Sequence, residues 1–542
     1  MVTALRANGR LVALAAPALV ALAVALNGWA GLMPGVDFWD TGEFQVIGPV
    51  MGTGHSPGFP TYAIVGFLVN LVLTPLGEPA FRMNVFSLLS VAVAAACLFV
   101  MMRRLGVSSL IAAVAGFAMA TTPLVWLQAT KAEPHTLHLA FVAALFLVLV
   151  VWEDARRDEM AAELGGSASV GRKSDRWLLL GAALFGVSGG NHGLTFILFP
   201  AIALYVLAVD ARTTLRFRLV LACAVVSIGA LALVYFELPL RAGPFRAPLV
   251  YGHPETWGGF WYVALATQFH GLISDPLTDL GSKAEDLAKL AWAELGILAI
   301  FVPIGFAATI RQAPRYAVLS GSAMIITLFW NSFFNDGYID RYYLGPIFWA
   351  WTWLAILGAM IAERVSDLIA GPPRDEAMTD SAGTDAPIPA RGSNARRVEL
   401  AVALVVAIAL LLPSVPDWGR RSSAADRHAD RRAQAWLDEV MPVFAQDAVV
   451  ITWWSASTAL WYGQSVAGRR PDIFIVDDRT MLDMDFGRAP DVIRRYLGQR
   501  PVYALRANSG DLAELTGQFA MLPVAGSGNL TVYLVTGELE GS

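Results

Sequence analysis

The chain has 542 residues, of which 56% are hydrophobic and 15% charged, with a mean hydropathy of +0.54. That leaves too little polar surface for a water-soluble globule of this length, so most of the chain must face lipid or another helix. The net charge of -5 is spread over loops with no basic stripe, so no nucleic-acid partner is indicated, and the two cysteines, Cys97 and Cys223, lie in apolar runs that support neither a disulfide nor a zinc site.

Apolar segments long enough to span a bilayer recur down to Pro413, and about eleven spans are expected. The first, residues 11–32, follows Arg6 and Arg10; a signal peptide would share that pattern, but the long apolar run without a convincing cleavage site favours an uncleaved helix. Residues 59–76 are apolar but interrupted by Asn70 and Pro75. Reading them as a helix in the interface, with 83–102 as the second span, keeps Arg103 and Arg104 on the cytoplasmic side. The rest then alternate over 110–127, 136–152, 177–189, 194–209, 219–240, 292–310, 317–331, 342–361 and 398–412. Two short helices meeting at Gly190, Asn191 and His192 keep the basic segments 172–176 and 212–218 on one side of the membrane.

Residues 363–397, rich in Pro, Asp, Ser and Ala, read as a disordered cytoplasmic linker. Beyond residue 413 the runs 448–453, 473–476, 502–505 and 530–535 read as strands, alternating with helical patterns over 426–444 and 490–497. The expected organisation is therefore a transmembrane domain over 1–413, with a first external loop over 33–82, and a small extracytoplasmic α/β domain over 414–542. The N-terminus is expected in the cytoplasm.

The first external loop places Asp37, Asp40, Glu43 and His55 beside the membrane surface. If residues 40–43 are helical, Asp40 and Glu43 share one face, as general-base chemistry or a metal site requires. The same spacing also fits a helix capped by Asp40 and boxed by Glu43. Trp39, Phe44 and Ile47 would hold the carboxylates partly out of water, a setting that raises a carboxylate pKa.

The stretch 39–60, followed by Arg82-Met83-Asn84-Val85-Phe86-Ser87, resembles the family of unknown function 2723, whose members include an animal O-mannosyltransferase and belong to the GT-C glycosyltransferases. The resemblance continues through Lys131-Ala132-Glu133, Asn191-His192-Gly193-Leu194-Thr195, Leu238-Pro239-Leu240-Arg241-Ala242, Asp340-Arg341-Tyr342-Tyr343 and Gly468-Arg469-Arg470-Pro471-Asp472. The chain departs from the pattern at Ser56, where a second proline is usual, and at His135, where an aromatic residue is expected.

The resemblance implies a mainly α-helical, polytopic membrane protein of GT-C type that carries its catalytic acid in the first external loop. A polyprenyl-phosphate sugar would be the donor, and a hydroxyl of a protein or cell-envelope glycan the acceptor, with inversion at the anomeric carbon. Asp40 is assigned as the base and Glu43 as its second candidate. Mannose is the family's suggestion for the sugar, and a bacterial cytoplasmic membrane the expected location.

The leaving phosphate calls for cationic donors, and His55, His192, Arg241 and Arg341 are the candidates. Arg241 and Arg341 could equally snorkel from helix ends. Glu133 could join the site or pair with Lys131 as an interfacial salt bridge. No cofactor is required by any motif, and a divalent metal at the carboxylates stays open. The aromatics Tyr251, Trp257, Trp261 and Tyr262 read as an interfacial belt, and Trp453, Trp454, Trp461 and Tyr462 near Asp477 and Asp478 as core or as an acceptor surface. A transporter or flippase for a lipid-linked or anionic solute is the rival reading, although no internal repeat of the transporter kind is present.

Overall fold

The computed structural model describes residues 2–164, 173–334, 339–370, 393–506 and 509–539. Helices occupy all eleven of the apolar segments. Among the described residues seven helices are long and apolar enough to cross a membrane: Pro79–Arg104 (α4), Pro134–Leu164 (α7), Leu194–Leu215, Phe217–Ala242, Leu280–Gln312, Ile339–Ile369 and Arg397–Ser414. The pair Ser109–Ala120 (α5) and Pro123–Ala129 (α6) makes an eighth only if its 69° bend is counted within one span. Of the remaining three, Asp175–Gly189 (α8) and Pro314–Asn331 fall short of that length or apolarity, and Val2–Trp29 (α1) is apolar over the part whose side chains are described, Ala15–Trp29.

The break between α5 and α6 was not expected, and its cause is local. Pro123 brings no N–H and disfavours helix in the residue before it. Glu294 then reaches across from another span and takes the first free donor of α6, Leu124 N, at 3.0 and 3.1 Å. The segment expected to lie in the interface is helical over Pro60–Val72 (α3), an apolar helix shorter than a span requires. The expected linker is narrower than 363–397, because helices run on to Ala370 and resume at Ser393; residues 371–392 lie outside the described residues.

The C-terminal region carries a five-stranded sheet in the order β2-β1-β3-β5-β4, with Val449–Ile451 (β1), Phe474–Val476 (β2), Val502–Ala504 (β3), Phe519–Ala525 (β4) and Val532–Glu538 (β5). Strand β1 is parallel to β2 and β3, while β5 runs antiparallel to β3 and β4. Four strands fall where the sequence pattern puts them; β4 was missed, because its half-exposed pattern has no clean alternation.

One face of this sheet packs on its own helices through Val449, Ile451, Val492 and Phe519. The other joins a core that continues into the first loop. Phe44, Ile47, Phe59, Tyr62 and Met83 pack in one cluster with Trp436, Leu437, Leu460 and Tyr503. The first loop and the C-terminal region therefore bury apolar surface against each other, and that contact positions the site.

Candidate active site

The helix Trp39–Val50 (α2) starts after Phe38, whose extended backbone forms the N-cap with no side-chain hydrogen bond. Asp40 is thus inside the first turn, and the capping-box alternative does not hold. Its Oδ2 pairs with the Arg341 guanidinium at 3.1 Å, and its Oδ1 accepts from the Trp454 indole N–H at 2.9 Å. Glu43 is fully buried and turns to His55: it accepts from the His55 backbone N at 2.6 Å and pairs with the ring Nδ1. The two carboxylates are on one helix but have separate partners. Gly42 between them is required by packing, since a Cβ there would lie 2.4 Å from Asp37 O and 2.7 Å from Thr458 Oγ1.

Helix α4 sets the first loop against the segment before α7. Asn84 Oδ1 accepts from Gln45 Nε2 and from Ala132 N, both at 2.8 Å, while its Nδ2 donates to Met33 O at 2.8 Å. Three residues on, and so on the same helix face, Ser87 Oγ accepts from Glu133 N at 2.9 Å. These bonds deliver Glu133 to Arg341, at 3.6 Å, and to His135 Nδ1, at 2.5 Å. The pairing considered with Lys131 is replaced by these two. Arg341 is consequently shared between Asp40 and Glu133.

Electrostatics follow from that sharing. Burial alone would raise the Asp40 carboxyl, but His55, Arg341 and the Trp454 N–H outweigh it and hold it below its ordinary value. The expectation of a raised value is therefore corrected, because burial comes with opposite charge. Burial likewise opposes ionisation of Glu133, yet His135 and Arg341 bring it down to about 2. For His55 burial disfavours the imidazolium, and Glu43 reverses this to a net rise.

His192 sits in the break between α8 and the next span. Gly190 lets this corner approach α3, since a Cβ there would lie 2.6 Å from Thr61 Oγ1, and Asn191 Nδ2 ties it to Pro134 O at 3.0 Å. Leu194 N donates to His192 Nδ1 at 3.1 Å, which puts the proton of the neutral ring on Nε2. The His192 ring lies 4.5 Å from that of His135, and Tyr342 stands 5.3 Å from each. Phe59 lies between His55, at 5.1 Å, and His192, at 6.2 Å.

Five sequence candidates thus gather around Asp40: Glu43, His55, Glu133, His192 and Arg341. Arg241 is not among them. Its Nε and Nη2 donate to Met51 O and Val50 O at 2.7 and 2.9 Å, closing the C-terminal end of α2. Trp257 and Trp261 are exposed, as a belt requires, but Tyr251 is buried against Trp454. Trp461 and Tyr462 are core, and Asp477 caps the helix Asp478–Asp483 through Thr480 N at 2.8 Å. Sequence reasoning missed the roles of His135 and Tyr342 and the bond from Trp454 to Asp40. Only the departure at His135 hinted at the first. Among the described residues no three His, Cys, Asp or Glu side chains are grouped to hold a metal ion.

Residues 40–215 match the family model described as the Protein O-mannosyl-transferase TMEM260 N-terminal domain. That segment contains Asp40, Glu43, His55, Glu133, His135 and His192 but neither Arg341 nor Trp454. The mouse Protein O-mannosyl-transferase TMEM260 is 29% identical over 224 residues, 41% of this chain and 29% of the mouse protein, so the match spans under a third of that relative. Among solved structures, ArnT from Cupriavidus metallidurans bound to undecaprenyl phosphate is similar with a TM-score of 0.53 at 15% identity, over 96% of this chain and 97% of that one. The archaeal oligosaccharyltransferase AglB from Archaeoglobus fulgidus, in complex with an inhibitory peptide and a dolichol-phosphate, gives 0.52 at 13% identity, over 91% and 69%. At these identities the likeness is one of fold. The chain is a polytopic membrane protein with the GT-C fold.

Proposed function

We propose that this chain is an inverting glycosyltransferase that moves a sugar, mannose being the first to test, from a polyprenyl-phosphate donor to a hydroxyl of a protein or cell-envelope glycan. The reaction is proposed for the extracytoplasmic side, a reading supported by the charge pattern of the loops, and the membrane is proposed to be a bacterial cytoplasmic one. The observation that carries the reading is the Asp40 carboxylate beside Glu133 and two histidines, all in the segment similar to an O-mannosyltransferase domain, with Arg341, from outside that segment, paired to both carboxylates.

The acceptor oxygen forms its bond to the anomeric carbon as the bond from that carbon to the phosphate oxygen breaks. The electron pair leaves with the polyprenyl phosphate, and the hydroxyl proton passes to Asp40. A low-lying carboxylate stays ionised and ready across neutral pH. Arg341, already balancing two carboxylates, is the natural donor to the departing phosphate, with the Nε2–H of His192 and the His55 imidazole as further donors. Glu43 orients His55, which leaves Asp40 as the first choice for base. Arg241 acts on the site only through the end of α2.

The test is release of polyprenyl phosphate from a panel of labelled polyprenyl-phosphate sugars, with cell-envelope extract as acceptor, by purified wild type and Asp40→Asn. Wild type is expected to turn over one donor, and the variant to lose roughly 10³-fold in kcat at an unchanged melting temperature. Passage of intact donor across a vesicle bilayer without release of polyprenyl phosphate would instead make the protein a flippase.

A further inference from the structure

The two oxygens of Asp40 are held from distant parts of the chain. Arg341 holds Oδ2, and the Trp454 indole, 414 positions along the sequence, holds Oδ1 at 2.9 Å. An indole nitrogen only donates, so the sense of this bond is fixed. Trp454 is the first residue of the helix Trp454–Trp461, directly after β1 and Trp453. Several contacts lock its ring: Tyr251 at 5.6 Å, Trp461 at 5.9 Å and His55 at 5.6 Å between ring centres. The backbone just before it is fixed as well, since Arg506 donates to Thr452 O at 2.9 Å and lies over the Trp453 ring. The same helix is pressed against α2 at Gly42 and Thr458.

We propose that Trp454 is a positioning residue for the base: its N–H fixes the rotation of the Asp40 carboxylate so that a remaining lone pair meets the acceptor hydroxyl. The inference rests on the functional reading above and extends it. It makes the C-terminal region part of the catalytic machinery, because that region alone supplies this donor. A carboxylate offers about four lone-pair sites, so two bound donors still leave capacity for a proton.

The experiment compares wild type, Trp454→Phe and Trp454→His in the donor-turnover assay across pH. Phenylalanine keeps a ring and loses the N–H. Its kcat is expected to fall roughly tenfold to a hundredfold, the usual worth of a hydrogen bond to a charged group. The KM for donor should stay put, and the acid limb of the pH profile should move to higher pH, because a donor that favours the ionised base is gone. Histidine, which restores an N–H, is expected to recover most of the kcat. In an Asp40→Asn background, Trp454→Phe should have no further effect.

A Phe variant with wild-type kcat and pH profile overturns the inference. So does loss of activity and of melting temperature to equal degrees in both variants, which marks a packing role. Wild type that turns over no donor overturns the functional reading, and the inference falls with it. Active wild type beside a normal Phe variant removes the inference alone.

Discussion

At one end of α7, Glu133 and His135 meet Arg341, which Asp40 also claims; at the other, Glu153 and Arg156 meet Tyr205, Arg315 and Asp210. Both ends bury carboxylates against arginine. They differ in how fully the polar groups are matched. Arg156 donates to Asp210 at 2.9 Å, to Glu163 at 3.2 Å and to Glu159 at 3.4 Å, while Glu153 accepts from Tyr205 at 2.7 Å and from Arg315 at 3.2 Å. At the first end the buried Nε2 of His135 has no protein partner among the described residues. A matched network tightens architecture, whereas an incompletely matched one at the same burial is where a ligand gains most. The contrast separates a clamp on the helix ends from a site.

The contrast breaks most visibly at the two arginines. Arg341→Ala is expected to cut kcat about 10³-fold, since it removes the charge facing both the base and the leaving group. Arg156→Ala is expected to cost about 3 kcal/mol of stability by leaving Asp210 and its partners uncompensated, with kcat of the folded fraction intact. Melting temperature and turnover on the same preparations read both. Loss of kcat in Arg156→Ala would erase the distinction.

A smaller effect sharpens it. His135→Phe installs the aromatic type expected at this position and should lower kcat/KM about tenfold, because Glu133 loses its 2.5 Å partner and pulls Arg341 from Asp40. Donor titrations with the variant would show it. Unchanged kcat/KM would make the imidazole a spectator.

The mildest signature lies in pH. Glu133 lies near 2 when folded against an ordinary 4.5, so its contribution is complete above 4.5 and is lost as pH falls through about 2. His55 has the opposite sign: its folded value is raised, so the contribution is complete below its ordinary 6.5 and fades as pH climbs through that raised value. A melting curve against pH should therefore slope down on both sides, with Glu133→Gln flattening the acid slope alone.

Much of this was legible in the sequence. Eleven apolar periods located the helices, and Asp40, Glu43, His55, Glu133, His192 and Arg341 stood out as ionisable residues near one membrane face. What escaped notice depended on contacts with no local signal. Arg241 carries the same charge as Arg341 at a similar helix end, and only the direction of its side chain, onto Val50 O and Met51 O, separates the two. The α5–α6 bend could be suspected from Pro123, but the Glu294 that completes it lies 170 positions away. Trp454 looked like a sheet-core aromatic until the fold set it on Asp40. Asn84 and Ser87 were quoted as a motif, yet their task of fastening two loops emerges only from their partners.

The bond between Asp40 and Trp454 also orders events during biosynthesis. Contacts this far apart in sequence close late, and chains fold from the N-terminal side as they are made. A ribosome that has already made α2 must still translate past β1 to Trp454 before the base gains its second donor. Half-made chains, already surrounded by lipid, thus hold an unaimed carboxylate, and competence arrives as one of the last steps of maturation.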